Sequence, residues 1–449
     1  MLTCALLLVR VTTAPTVEPA SLLVGTVQPR VPTAVAILLA LLAGVPAVLL
    51  RTDQLDLSVE LATACFGVGI VGAAFAISWA AEAAEHDIPR ALSLTVVALL
   101  AVLPEYAVDI VFAYKAAQDP TFAPYAAANM TGSNRLLIGL GWSTVAFVAW
   151  FARRGARPSV GDPQPPPTPS AVPLDRDATL ALLFVGLATA YSFSLPLRSS
   201  IAPLDSLVLI GLFAVFVVLA ARREAEEPEL VGPAAAIGAL PSAPRRLVVV
   251  ALFAFAGGII AISAEPFADG LVHTGQRLGI DEFLLVQWLA PLASECPEFL
   301  VAVLLAARGK AAAALSLLLS AKLNQWTLLV GSLPLAYSVG AGHLGALPLD
   351  ERQVAEVLLT AAQSLFGVAV LIDLSFSIRE AALLAVLFSA QLILGGVLRA
   401  GVQSTEAASL ELFAFSAVYL IISAWRLIRS RRLLATLLRP RWVKAGAAR

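Results

Sequence analysis

Four carboxylates stand where a chain rarely puts them. Glu105 and Asp109 follow an apolar run in "LLAVLPEYAVD", and Glu295 and Glu298 lie within "WLAPLASECPEFLVAVLL". The members of each pair are four and three residues apart, so each pair shares one helical face. A proline, Pro104 or Pro297, precedes one glutamate of each pair. Proline lacks the N–H that would bond the carbonyl four residues back, which frees the carbonyls of Leu100 and Ala293. Carboxylates beside freed carbonyls make a hard-oxygen site that suits Na+, Ca2+ or a proton. Side-chain oxygens of Asn129, Ser133 and Asn134 could complete one half of it, and those of Ser294, Ser320, Asn324 and Thr327 the other.

The elements that carry these acids are membrane spans. The chain has 449 residues, 59% of them hydrophobic and only 14% charged. Soluble domains carry about a quarter charged residues, so this is an all-α polytopic membrane protein. A charge at the bilayer centre costs from about 2.5 to over 10 kcal/mol, so four acids in two apolar helices mark a function. Glu82, Glu85, Glu265 and Asp269 fall near span ends and read as interfacial. The formal net charge of -1 argues against nucleic acid as a partner. Cys4, Cys65 and Cys296 share no metal-type spacing and build no disulfide framework. His86, His273 and His343 are expected in loops. With no nucleophile–base or metal-ligand spacing in the spans, neither an enzyme nor a bound cofactor is expected.

Twelve runs approach the roughly 20 residues needed to cross a bilayer. They lie at about 33–50, 61–81, 91–114, 126–152, 177–196, 202–221, 247–264, 282–306, 311–338, 354–372, 379–399 and 407–427. Basic clusters at Arg153, Arg154 and Arg157, at Arg222, Arg223, Arg245 and Arg246, at Arg308 and Lys310, and near the C-terminus all fall on one side if both termini are cytoplasmic. That orientation is expected for the plasma or inner membrane. Residues 1–60 then hold a tail and an extra span. The first repeat covers 61–221, with a proline-rich linker at 153–176, and 222–246 form a cytoplasmic loop. The second repeat covers 247–399, and 400–449 hold a further span and a basic tail.

The halves resemble each other. Pro104–Glu105 matches Pro297–Glu298 at an offset of 193, while Asn134 and Gly141 match Asn324 and Gly331 at an offset of 190. Five spans separate equivalent helices, an odd number, so the two five-helix repeats are inverted. Many secondary transporters are built this way, with polar sites where the repeats meet. Two cations adjoin the acids: Arg135 and Lys322. Lys322 could pair with an acid and take the place of a bound cation.

At these residues the chain resembles the Ca2+/cation antiporter superfamily, the sodium/calcium exchanger membrane region. Its two α-repeats carry Gly-Thr-Ser-Leu-Pro-Glu in one helix and Gly-Asn-x-x-Gly-Ser-Asn in the next. "LAVLPE" (100–105) with "ANMTGSN" (128–134) looks like the first repeat, and "ASECPE" (293–298) with "LSAKLN" (319–324) like a degraded second. The likeness covers about 61–152 and 247–399. It implies that Glu105 and Glu298 are the ion-binding glutamates and Asn129 the ligand-bearing asparagine. The chain departs from the pattern at Ala101 and Val102, which replace Thr and Ser, at Glu295, which replaces Ser, and at Asp109, where the family often has Ser. Lys322 and Leu323 replace the second Gly-Ser. The implied function is a secondary active antiporter, exchanging Ca2+ or another cation for Na+ or H+ by alternating access. The lost Thr and Ser oxygens would favour a sodium/proton exchanger instead. A third reading is a non-transporting membrane scaffold or sensor whose site Lys322 neutralises.

Overall fold

The computed structural model describes residues 33–87, 103–155, 171–175, 178–222, 230–401 and 405–431. Helices α1 (Thr33–Ala43) and α2 (Val45–Arg51) form the first apolar run, and α3 (Val59–Ala84) follows. Next come α4 (Leu103–Ala116), α5 (Ala123–Leu136), a π-helical turn at Leu137–Trp142, and α6 (Ser143–Gly155). After strand β1 (Ala171–Pro173), α7 (Ala178–Ser192), α8 (Ser194–Arg198), β2 (Ser200–Ile201) and α9 (Pro203–Ala220) end the first half. The second half has α10 (Pro233–Gly238), α11 (Ser242–Leu278), α12 (Glu282–Ser294), α13 (Cys296–Ala307) and α14 (Ala311–Asn324). A second π-helical turn at Gln325–Leu329 leads into α15 (Val330–Ala341) and β3 (Leu347–Pro348). It closes with α16 (Glu351–Val370), β4 (Ser375–Ser377), α17 (Ile378–Gly401) and α18 (Thr405–Arg429).

Among the described residues ten helical runs are long and apolar enough to cross a membrane. Helices α12 and α13 supply an eleventh span, bent by 57° at Glu295. The run expected at 91–114 is described only from Leu103. Its first half, with the Leu100 carbonyl, lies outside the described residues, as does most of the proline-rich linker. The part of that linker at Ala171–Pro173 is not structureless: it pairs antiparallel with Ser375–Ser377. The seventh span is much longer than 247–264, because α11 passes through Pro266 and runs 37 residues. His273 therefore sits within a helix, not in a loop.

The inversion is visible in which helices touch and which way they run. Helices α3 and α11 open the two repeats and lie side by side. Asp87, just past the end of α3, receives Arg245 from the start of α11 at 2.7 Å, while Glu60 at the start of α3 receives Arg277 from the end of α11 at 3.1 Å. The pair is therefore antiparallel. In the same sense α4 packs on α15, and its counterpart α13 packs on α6. Large apolar side chains such as Leu38, Leu42, Val215, Ile393 and Ile421 face outward from α1, α9, α17 and α18, as lipid-facing helices require.

Candidate functional site

The acids do converge. Glu105 and Asp109 lie on the buried face of α4, and Glu295 occupies the bend between α12 and α13. All three are at most 3% exposed, and Glu298, one turn into α13, is half-buried. The joint is Gln325, which opens the second π-helical turn. Its Nε2 donates to Glu105 Oε2 at 3.2 Å and to Glu295 Oε1 at 2.9 Å, so carboxylates of opposite repeats face each other across one nitrogen. Sequence reasoning missed Gln325. Its position directly after Asn324 was the available signal, but a π-helical turn shifts which residues face inward.

The Pro297 break works as expected in one respect. Helix α12 ends at Ser294, the Glu295 amide still bonds the Pro291 carbonyl at 2.9 Å, and a new helix starts at Cys296. Ser294 turns its hydroxyl back to Ala290 and Pro291. Ser133 likewise bonds the Asn129 carbonyl at 3.1 Å. Thr327 bonds the Leu323 carbonyl. Ser320 is exposed, so it does not join the buried cluster.

Two of the three asparagines expected as ligands are held from across the repeats. Tyr106 of α4 donates its hydroxyl to Asn324 Oδ1 at 3.0 Å, and Lys322 of α14 donates its ammonium to Asn134 Oδ1 at 2.6 Å. Asn129 instead donates to Asp109 Oδ1 at 2.9 Å and keeps its own oxygen unengaged. At the repeat-related positions of Asp109 and Asn129 stand Ala302 and Leu319, so this acid–amide pair belongs to one half only. Arg135 is fully buried but committed elsewhere, to Glu356 of α16 and Gln391 of α17, beneath the ring of Trp288. Gln287 of α12 also donates to Glu356, at 2.9 Å.

What remains is a set of buried oxygens without hydrogen-bond partners: Glu105 Oε1, Asp109 Oδ2, Asn129 Oδ1, Glu295 Oε2, Glu298 Oε2 and Gln325 Oε1. An unpaired buried polar atom is costly, and a cluster of them, all acceptors, is complementary to a cation. Among the described residues no three Asp, Glu, His or Cys side chains form a metal-binding group, and two of the six oxygens above belong to amides. Gly132 lets the halves come this close. A methyl there would meet the carbonyl of Gln287, so α5 and α12 cross with nothing between their backbones.

None of the curated proteins matches. Among solved structures, the crystal structure of the H+/Ca2+ exchanger CAX is 43% identical, with a TM-score of 0.81 over 91% of this chain and 97% of that one. Native YfkE shares the fold at 16% identity and a TM-score of 0.54, over 80% of this chain and 98% of its own. The family model described as sodium/calcium exchanger protein matches residues 58–222 and 248–396, most of the chain and both repeats. This protein is a member of the sodium/calcium exchanger family.

Proposed function

We propose that this chain is a secondary active antiporter that moves Ca2+ in exchange for protons. The observation that carries this reading is the shared pocket: carboxylates of two inverted repeats meet at Gln325 with acceptor oxygens left over. Ca2+ takes six to eight oxygens in flexible geometry, and the carboxylate and amide oxygens named above supply that class of ligand. The likeness to an H+/Ca2+ exchanger supports the proton as the counter-ion. Carboxylates of both repeats bridged by one amide, with Asp109 and Glu298 on the same two acid-bearing helices, suit alternate loading: charge that is neutralised by Ca2+ in one state is neutralised by protons in the other.

The proposed motion is alternating access, with the α3–α11 pair moving against the acid-bearing helices. Two features favour it. Helices α3 and α11 pack on each other more extensively than any other pair of described helices, so they form one unit. That unit meets α4 through polar contacts: Lys115 reaches Glu265 at 3.1 Å and Asp269 at 2.6 Å. Partly exposed ion pairs of this kind are weak and can break within a transport cycle.

The test is uptake of radiolabelled Ca2+ into vesicles holding the purified protein, driven by an imposed pH gradient and then by an Na+ gradient. Uptake should follow the pH gradient, and Glu105→Gln and Glu298→Gln should each abolish it while leaving the protein folded. Normal flux in both variants would remove the two glutamates from the mechanism. Radiolabelled Na+ flux with no Ca2+ flux would replace Ca2+ as the cargo.

A further inference from the structure

The two halves hold their asparagines in different ways, and the difference concerns Lys322. On the first helix of the motif, Tyr106 corresponds to Phe299, and on the second, Lys322 corresponds to Gly132. Tyr106 supplies a neutral donor to Asn324. Phe299 has no donor to offer Asn134, and there the ammonium of Lys322 crosses over instead. Lys322 is fully buried, its ammonium stands 4.4 Å from the centre of the Trp326 ring, and among the described residues it donates to Asn134 and pairs with no carboxylate. An aromatic face and an amide oxygen at 2.6 Å together seat the ammonium.

We propose that Lys322 is a tethered cation that fills the position a free Na+ would take beside Asn134, and so makes the site indifferent to Na+. The inference rests on the exchange reading given above and names what that site rejects. It follows from charge and space. The acids favour positive charge, but a second cation beside an ammonium is repelled across a few ångströms of low-dielectric protein. Removing the side chain frees Asn134 Oδ1 and takes one positive charge from the pocket, so the released oxygen can join the unpaired acceptors of the site in holding a small hard cation. Lys322 thus sets specificity without touching the carboxylates that hold the divalent ion.

The experiment is equilibrium binding of radiolabelled Ca2+ to the purified full-length protein. NaCl is exchanged for choline chloride at constant ionic strength. In the wild type the swap should change the Ca2+ Kd by less than about twofold; in Lys322→Ala, NaCl at about 100 mM should weaken Ca2+ binding roughly tenfold by competition. Lys322→Arg keeps the charge and should stay insensitive. Equal Na+ competition in the wild type overturns the proposal, and that arm stands even if Lys322→Ala does not fold. A folded Lys322→Ala that ignores Na+ also overturns it. A wild type that binds no Ca2+ overturns the exchange reading itself, a result distinct from Na+ competition with Ca2+ still bound.

Discussion

Gly132→Ala is the smallest change that should pull the two halves of the pocket apart. The added methyl would lie 2.7 Å from the carbonyl carbon of Gln287 and closer still to its oxygen. Carbon atoms pack at about 3.5–4.0 Å, and the oxygen is the closer obstacle, so α5 and α12 must separate by at least about 1 Å. The atom in the way is backbone, which cannot rotate aside as a side chain can. Overpacking of this kind costs about 1–3 kcal/mol. Helix α5 carries Asn129 and Ser133, and α12 leads into Glu295, so the separation acts directly on the oxygens that face one another. If the whole strain appears in binding, Ca2+ affinity falls by about fivefold to over a hundredfold. Radiolabelled Ca2+ binding and thermal melting of the purified protein read both consequences. Gly258→Ala is the control: nothing lies near a methyl at that position in α11, so affinity should not move. A Gly132→Ala protein with wild-type affinity and wild-type melting would refute the close crossing as the device that brings the repeats together.

Three further changes probe the supports of the site. Arg135→Met should destabilise by about 3–5 kcal/mol because it removes the counter-charge of the buried Glu356, whereas Arg135→Met with Glu356→Met should cost clearly less. Equal melting losses in the single and double variants would argue against the pair. Tyr106→Phe, which places in the first half the residue found at 299, removes the donor to Asn324 and should cost about 0.5–1.5 kcal/mol, read as a small drop in melting temperature with transport retained. Hydrogen bonds from Arg245, and then Arg246, hold the Asp87 carboxyl well below the usual carboxylate range. Its stabilisation is therefore complete above the unfolded-state value of about 3.9 and is lost only as pH falls toward the lower folded-state value. Asp87→Asn should lower the melting temperature equally at about pH 5 and pH 8, by the equivalent of about 1 kcal/mol or less. A deficit that shrinks between those two values would contradict this assignment.

Much of the pocket was legible before any coordinates. Buried charge is so costly in lipid that Glu105, Asp109, Glu295 and Glu298 announce themselves by type and setting alone. Pro297 marked the break in the second half, and the recurrence of Pro-Glu and Asn showed two related halves. Hydropathy located most of the spans. It misjudged α11, because the polar stretch after Ala264 reads as an interface until Lys115 of α4 is seen to receive its acids.

Chain composition by itself determined that acids would lie within the membrane and that two inverted halves would carry them, since both follow from local residue type and repetition. Only tertiary structure decided which oxygens are free. Asn134 and Asn324 are occupied by Lys322 and Tyr106, which come from the opposite repeat, and Gln325 bridges acids 220 and 30 residues away in sequence. Whether a side chain coordinates an ion or is already satisfied depends on a donor that arrives across the fold, and no local pattern encodes its arrival.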